Sequence, residues 1–276
     1  MTDAVTIPKI VDTSATALLS DLADDGVLRL TMSRPPANTL SEAMLGELQQ
    51  AFDEAAENDA VRVIILASTG DLFCAGHDLK EMEAKRSDDD RGRAYFELIL
   101  GKCATLMQSI VNHPKPVIAE VDGLATAAGA QLVASCDLAI VSDRSTFCTP
   151  GVHIGLFCST PMVALSRVMH RKHAMEMLLT GETIDASAAR ENGLVNRVVP
   201  RDYLRQVTDK YASTIASKSS YTLKVGKQAF YAQREMPLSE AYEYASRVMT
   251  ENMLARDAQE GIGAFLDKRD PEWTDS

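Results

Sequence analysis

The spacing of apolar residues changes character near residue 157, and this change constrains the fold more than any other feature of the chain. Before it, short β-branched runs alternate with helical periods; after it, helical periods dominate. Val27–Met32 reads as a strand that Arg34-Pro35-Pro36 terminates. Ser41 is placed to cap a helix whose apolar positions Leu45, Leu48, Phe52 and Ala55 fall three or four apart. Val61–Ala67 is a β-branched run suited to a buried strand, and Val117–Val121 and Leu138–Val141 are shorter ones. Between them, Arg93–Val111 carries Phe96, Leu100, Cys103, Met107 and Ile110 at helical spacing until Pro114 and Pro116 stop it. Downstream, helical patterns cover 162–169, 172–179, 186–191, 202–216, 223–233, 238–254 and 257–266, with Asn192-Gly193 as a helix-ending signal. The pattern predicts a loose arm over residues 1–15, an α/β core over 16–200 and a helical region over 201–276.

The bulk properties exclude several classes. At 276 residues the chain can bury a large core. A net charge of −11 argues against nucleic acid or an anionic membrane as partner. It also means that a phosphate-bearing ligand needs locally placed cations or helix N-termini. No apolar run reaches the length of a membrane span, and the Arg-poor N-terminus with its early Asp does not read as a presequence. The five cysteines are odd in number and none stand in Cys-x-x-Cys spacing, which fits reduced thiols in a cytoplasmic protein.

Two segments carry chemistry. In Phe73-Cys74-Ala75-Gly76-His77-Asp78-Leu79-Lys80-Glu81-Met82 a strand ends, glycine permits an unusual backbone angle, and Asp78 with Glu81 matches the start of a capped helix. In Asp122-Gly123 through Ala127-Ala128-Gly129-Ala130-Gln131 to Ser135-Cys136-Asp137, small residues at a helix start let a ligand approach the backbone, where the helix dipole favours negative charge. Two amides converging on one oxygen would stabilise negative charge developing on it. Small residues at such junctions serve tight strand–helix packing equally well, and taken alone that reading leads. Asp78 reads as a helix cap, and Asp122 and Asp137 as turn residues.

These segments resemble the signature of the crotonase (enoyl-CoA hydratase/isomerase) superfamily. The likeness extends from about residue 20 to the C-terminus through Asn38-Thr39-Leu40, Thr180-Gly181, Ala188–Val199 and Glu260-Gly261 followed by Ala264–Arg269. Pro150–Pro161 most resembles the enoyl-CoA hydratase domain-containing group 3 type. The resemblance implies a crotonase-type (ClpP-like) spiral of ββα units, with the C-terminal helices mediating a homotrimer or dimer of trimers. It implies an acyl-CoA thioester as substrate, a place in fatty-acid metabolism, no metal, and no cofactor beyond the coenzyme A of the substrate.

Carried over by residue, the resemblance implies backbone oxyanion donors at His77 and Ala128. It implies ligand contacts from Ala75, Asp78, Leu79 and Lys80, and from Phe265 and Lys268 of the tail helix, the latter able to meet a phosphate. The two glutamates that serve hydratases as acid and base fall on Gln131 and Gly151. Gln131 cannot exchange a proton near neutral pH and Gly151 has no side chain. Acid–base groups contribute about 10²–10⁴-fold each, so weak or non-standard hydratase-like (lyase) activity is expected. His77 and His153 are the replacement proton carriers within the matched segments, and Cys148 and Cys158 the candidate nucleophiles. A non-catalytic acyl-CoA-binding protein and a thioester hydrolase are the alternatives.

Overall fold

A computed structural model of the chain describes residues 17–276. The arm expected over residues 1–15 lies outside the described residues. The elements in chain order are β1 (Leu18–Leu22), β2 (Val27–Met32), α1 (Glu42–Glu57), β3 (Val63–Ser68), β4 (Leu72–Cys74), α2 (Leu79–Ala84) and α3 (Arg93–Asn112). There follow β5 (Val117–Val121), β6 (Leu124–Thr126), α4 (Ala128–Ser135), β7 (Leu138–Ser142), β8 (Thr146–Cys148), α5 (Ser159–Val168) and α6 (Arg171–Thr180). The chain ends with β9 (Ile184–Asp185), α7 (Ala186–Glu191), β10 (Arg197–Val199), α8 (Leu204–Ala216), α9 (Ser220–Gln233), α10 (Leu238–Leu254) and α11 (Arg256–Asp267).

Two sheets organise the core. The larger has the order β1-β2-β3-β5-β7-β10 and the smaller β4-β6-β8-β9. Every pairing from β2 to β10 in the larger sheet is parallel; only β1 runs antiparallel, against β2. One unit recurs three times: a strand of the large sheet, a tight turn, and a three-residue strand of the small sheet (β3–β4, β5–β6, β7–β8). The turns stack on one another. Gly123 has φ +85°, and a Cβ there would fall 2.1 Å from the Asp71 carbonyl oxygen, so only glycine lets successive turns come this close. This stacking builds the expected ββα spiral.

Alternation along the large sheet divides the core in two. Ile64, Leu66, Val117, Ala119 and Val141 face α1, α3 and α4 through Leu45, Leu48, Phe52, Leu106 and Leu132. Val63, Ile65, Ile118 and Ile140 face the other way and pack on Leu204, Ala212 and Ala216 of α8. Helix α8 therefore belongs to the core, although the fading strand signals place residues 201–216 with the tail. Strands also continue past residue 157, as β9 and β10, too short to leave a sequence period. The two aspartates expected to be turn residues do lie in connections, Asp122 between β5 and β6 and Asp137 between α4 and β7, and they also act as anchors. Asp122 accepts from Ser142, Arg144 and Arg201. Asp137 accepts from the Val117 amide, from Lys227 Nζ at 2.7 Å and from the Tyr231 hydroxyl at 2.9 Å.

Candidate active site

The site is best built from β4. Its end is held by hydrogen bonds from the Ala75 amide to the Ala37 carbonyl (3.0 Å) and from the Leu40 amide to the Gly76 carbonyl (2.8 Å). Gly76 then turns with φ +81°. A Cβ at Gly76 would lie 3.1 Å from the Ala128 nitrogen and 3.2 Å from the Ala127 Cβ. The backbone before His77 is thus packed directly against the start of α4. Asp78 caps α2, accepting from the Lys80 and Glu81 amides. Glu81, expected to reach back to its own cap, instead accepts from the Glu42 amide at 3.0 Å and from Tyr95. It serves the N-terminus of α1, whose own first residues offer unpaired amides nearby.

The second half comes from β6 and α4. Ala127 takes φ +51° and ψ −116°, a conformation that costs a non-glycine residue energy and that persists only where packing enforces it. Its amide donates to the Cys148 carbonyl, and Gly129 brings the helix so close to β4 that a Cβ would fall 2.2 Å from the Cys74 carbonyl. The strain turns Ala128 into the first residue of α4, one whose amide has no partner inside the helix. Among the described residues, neither the His77 nor the Ala128 main-chain amide has a hydrogen-bond acceptor. The two segments singled out in the sequence therefore meet, and they meet through backbone.

The side chains around them are less accommodating. Gln131 lies one turn beyond Ala128 and is buried, with no partner for Oε1. Both ring nitrogens of His77 are likewise buried and unpartnered. Burial pushes the His77 pKa below the ordinary histidine value. Gly151 is the second residue of a 3₁₀ turn over Pro150–Ile154, and its carbonyl accepts from the Leu156 amide. A Cβ at Gly151 would fall 2.8 Å from the Leu156 carbonyl oxygen and 2.9 Å from Cys158 Sγ. The space for a side chain at this position is filled by the following loop.

The remaining candidates separate. His153 is exposed in the same turn. Cys148 and Cys158 are buried, and burial pushes the Cys158 thiol up, which removes thiolate character. Leu79 and Lys80 are exposed beside the His77 junction. Phe265 is 80% exposed on α11, and Lys268 ends that helix with φ +56°. Neither packs on the junction within this chain. A surface groove of about 660 Å³ between α1 and α3 is lined by residues such as Leu45, Gln49, Leu98 and Lys102, away from both junctions. No group of three or more His, Cys, Asp or Glu among the described residues is arranged to hold a metal. The orphaned Gln131 and His77 atoms are the signal that sequence reasoning did not supply.

Comparison with known proteins fits this architecture. The family model for enoyl-CoA hydratase/isomerase matches residues 23–276. Enoyl-CoA hydratase domain-containing protein 3, mitochondrial, of Rattus norvegicus is 46% identical over 258 residues, covering 93% of this chain and 84% of the relative. The human protein of that name is 47% identical over 251 residues, covering 91% and 81%. A crystal structure described as enoyl-CoA hydratase of Mycobacterium smegmatis superposes with a TM-score of 0.90 at 48% identity, covering 94% of this chain and 99% of that one. The crystal structure of the human domain-containing protein 3 gives 0.88 at 46%, covering 94% and 100%. The relatives from rat, mouse, human and frog are all named mitochondrial, which corrects the expectation of a cytoplasmic protein. Thiol count and N-terminal charge, on which that expectation stood, do not distinguish the two reducing compartments. With its stacked ββα units and these relatives, the chain belongs to the enoyl-CoA hydratase/isomerase family.

Proposed function

We propose that the protein binds acyl-CoA thioesters and polarises the thioester carbonyl between the His77 and Ala128 amides, with two-glutamate hydration disabled. The observation that carries this reading is the pair of main-chain amides without acceptors, packed together at the start of α4. Aimed dipoles of this kind stabilise charge developing on a carbonyl oxygen and need no reorganisation when it appears. Ala75, Asp78, Leu79 and Lys80 line the route for the coenzyme A moiety. Phe265 and Lys268 complete it from a neighbouring copy, since both are exposed on their own subunit. The bare apolar residues Leu238, Tyr242, Met249 and Leu254 support a trimeric assembly through the C-terminal helices. No separate cofactor is required.

The filled space at Gly151 favours a second reading, in which the protein holds the thioester without turning it over. Hydrolysis through Cys158 is disfavoured by the raised thiol pKa. Calorimetric titration with butyryl-CoA and with free coenzyme A tests the binding site. The thioester is expected to bind saturably and more tightly; equal affinities would remove the acyl pocket from the account.

A further inference from the structure

Helix α11 is anchored in an unusual way. Of its twelve residues only Asp257 and Ala264 are buried, while Ile262, Phe265 and Leu266 are exposed. An amphipathic helix is ordinarily held by its apolar face; here that face is bare. Apart from buried Ala264, the contacts that hold α11 are polar; Asp257 bonds the Ser219 side chain, and most of the others come from residues 271–276.

Residues 271–276 fold back onto the start of α11. The Asp257 carboxylate accepts from the Thr274 amide (2.7 Å), the Thr274 hydroxyl (3.0 Å) and the Asp275 amide (3.0 Å), while its own amide donates to the Ser276 carbonyl (3.0 Å). Asp275 in turn accepts from Arg62 (2.7 Å) and from the Ser220 amide (2.7 Å). Arg62 also donates to the Ala216 and Lys218 carbonyls at the end of α8. The Trp273 indole donates to the Ser217 carbonyl (2.9 Å), and its ring lies so close to Gly261 that a Cβ there would fall 3.1 Å away. One short segment therefore ties α11, the α8–α9 junction and the residue before β3 together.

We propose that residues 271–276 are a latch that locks α11 to its own subunit through Asp257, and that this latch sets where Phe265 and Lys268 stand. The apolar face of α11 is free for other use because it is not needed for attachment. The latch holds regardless of what the face meets.

Trp273 is the only tryptophan in the chain, so its fluorescence reports the latch directly. In Asp257→Asn, which keeps shape but removes the charged acceptor, Trp273 emission is expected to shift to the red. Acrylamide quenching should increase at least twofold. Hydrogen exchange of the amides at 259–267 should speed up at least tenfold, while β2, β3 and β5 keep parental protection. A full chain ending at Asp270 should give the same exchange pattern. Unchanged emission in Asp257→Asn, together with unchanged α11 protection in both variants, would overturn the proposal. So would loss of protection spreading equally through the sheet, because the segment would then be part of the core and not a latch.

Discussion

Gly151 decides more than the absence of an acid. Had it been a vacant position, Gln131→Glu with Gly151→Glu would be expected to restore hydration. The structure points the other way, since a Cβ at 151 meets the Leu156 carbonyl at 2.8 Å and Cys158 Sγ at 2.9 Å. Overpacking of this kind costs about 1–3 kcal/mol. The double variant should unfold at lower urea and should hydrate crotonyl-CoA no faster than the parent; a large gain in hydration at parental stability would show that the loop yields. His77 and His113 carry a second consequence. Burial lowers the pKa of both, and for His113 the nearby Lys227 and Lys115 add to the shift. Their folded pKa values lie below the ordinary value of about 6.5, so the unfolded chain binds more protons at and below that pH. The stability they contribute is present above about pH 7 and is lost as pH falls. The His113 ring is held on both sides: Nε2 is 3.0 Å from the Phe52 carbonyl, and Nδ1 is 3.1 Å from the Lys115 amide and 3.2 Å from the Lys115 carbonyl. His113→Gln should therefore flatten the fall in unfolding free energy between pH 7 and pH 5, as measured in urea. A variant with the parental slope would assign the pH dependence elsewhere.

Among the elements, what could be read in the sequence was local. Ser41 and Asp78 cap their helices as their spacing implies, and the helix predicted over Arg93–Val111 runs from Arg93 to Asn112. The small sheet could not be read, because β4, β6 and β8 have three residues each and no period survives in so short a run. Their pairing is decided by the stacked turns, which are long-range contacts. The close packing of the Gly76–His77 turn against the start of α4 was legible only through the glycines and alanines around it and the family likeness those residues carry. The Asp137–Lys227 pair was hidden for the same reason: 90 residues separate its members. Lys227 is buried, and its ammonium also donates to the Ile110 and Lys115 carbonyls, so it fastens α9 to the end of α3 and the start of β5. Removing one partner of such a pair leaves a charge buried and costs about 3–5 kcal/mol. Asp137→Ala is expected to lose that much stability in urea unfolding, with α9 the first helix to lose hydrogen-exchange protection. A loss below about 1 kcal/mol, in the range of an exposed pair, would show that Lys227 finds water instead.

Across the whole molecule, the folded core and the C-terminal helices divide the labour. The core packs α8 on one face of the large sheet and α1 and α3 on the other, and it presents the two free amides at one edge. Helices α9–α11 leave Phe230, Leu238, Tyr242, Met249, Leu254, Phe265 and Leu266 exposed. Light scattering of the full chain should give a multiple of three of the 30.0 kDa subunit, and Leu254→Glu should shift it towards the single subunit. A parental assembly in that variant would place the contact on another face. Infrared difference spectroscopy of bound crotonyl-CoA, labelled with carbon-13 at the carbonyl, reads the polarisation of the thioester bond itself. If the His77 and Ala128 amides polarise that bond, its stretching band moves to lower frequency on binding and the enoyl thioester persists without accumulating its hydrated product. A band at the frequency of free crotonyl-CoA, or prompt conversion to the hydroxyacyl thioester, would contradict the account.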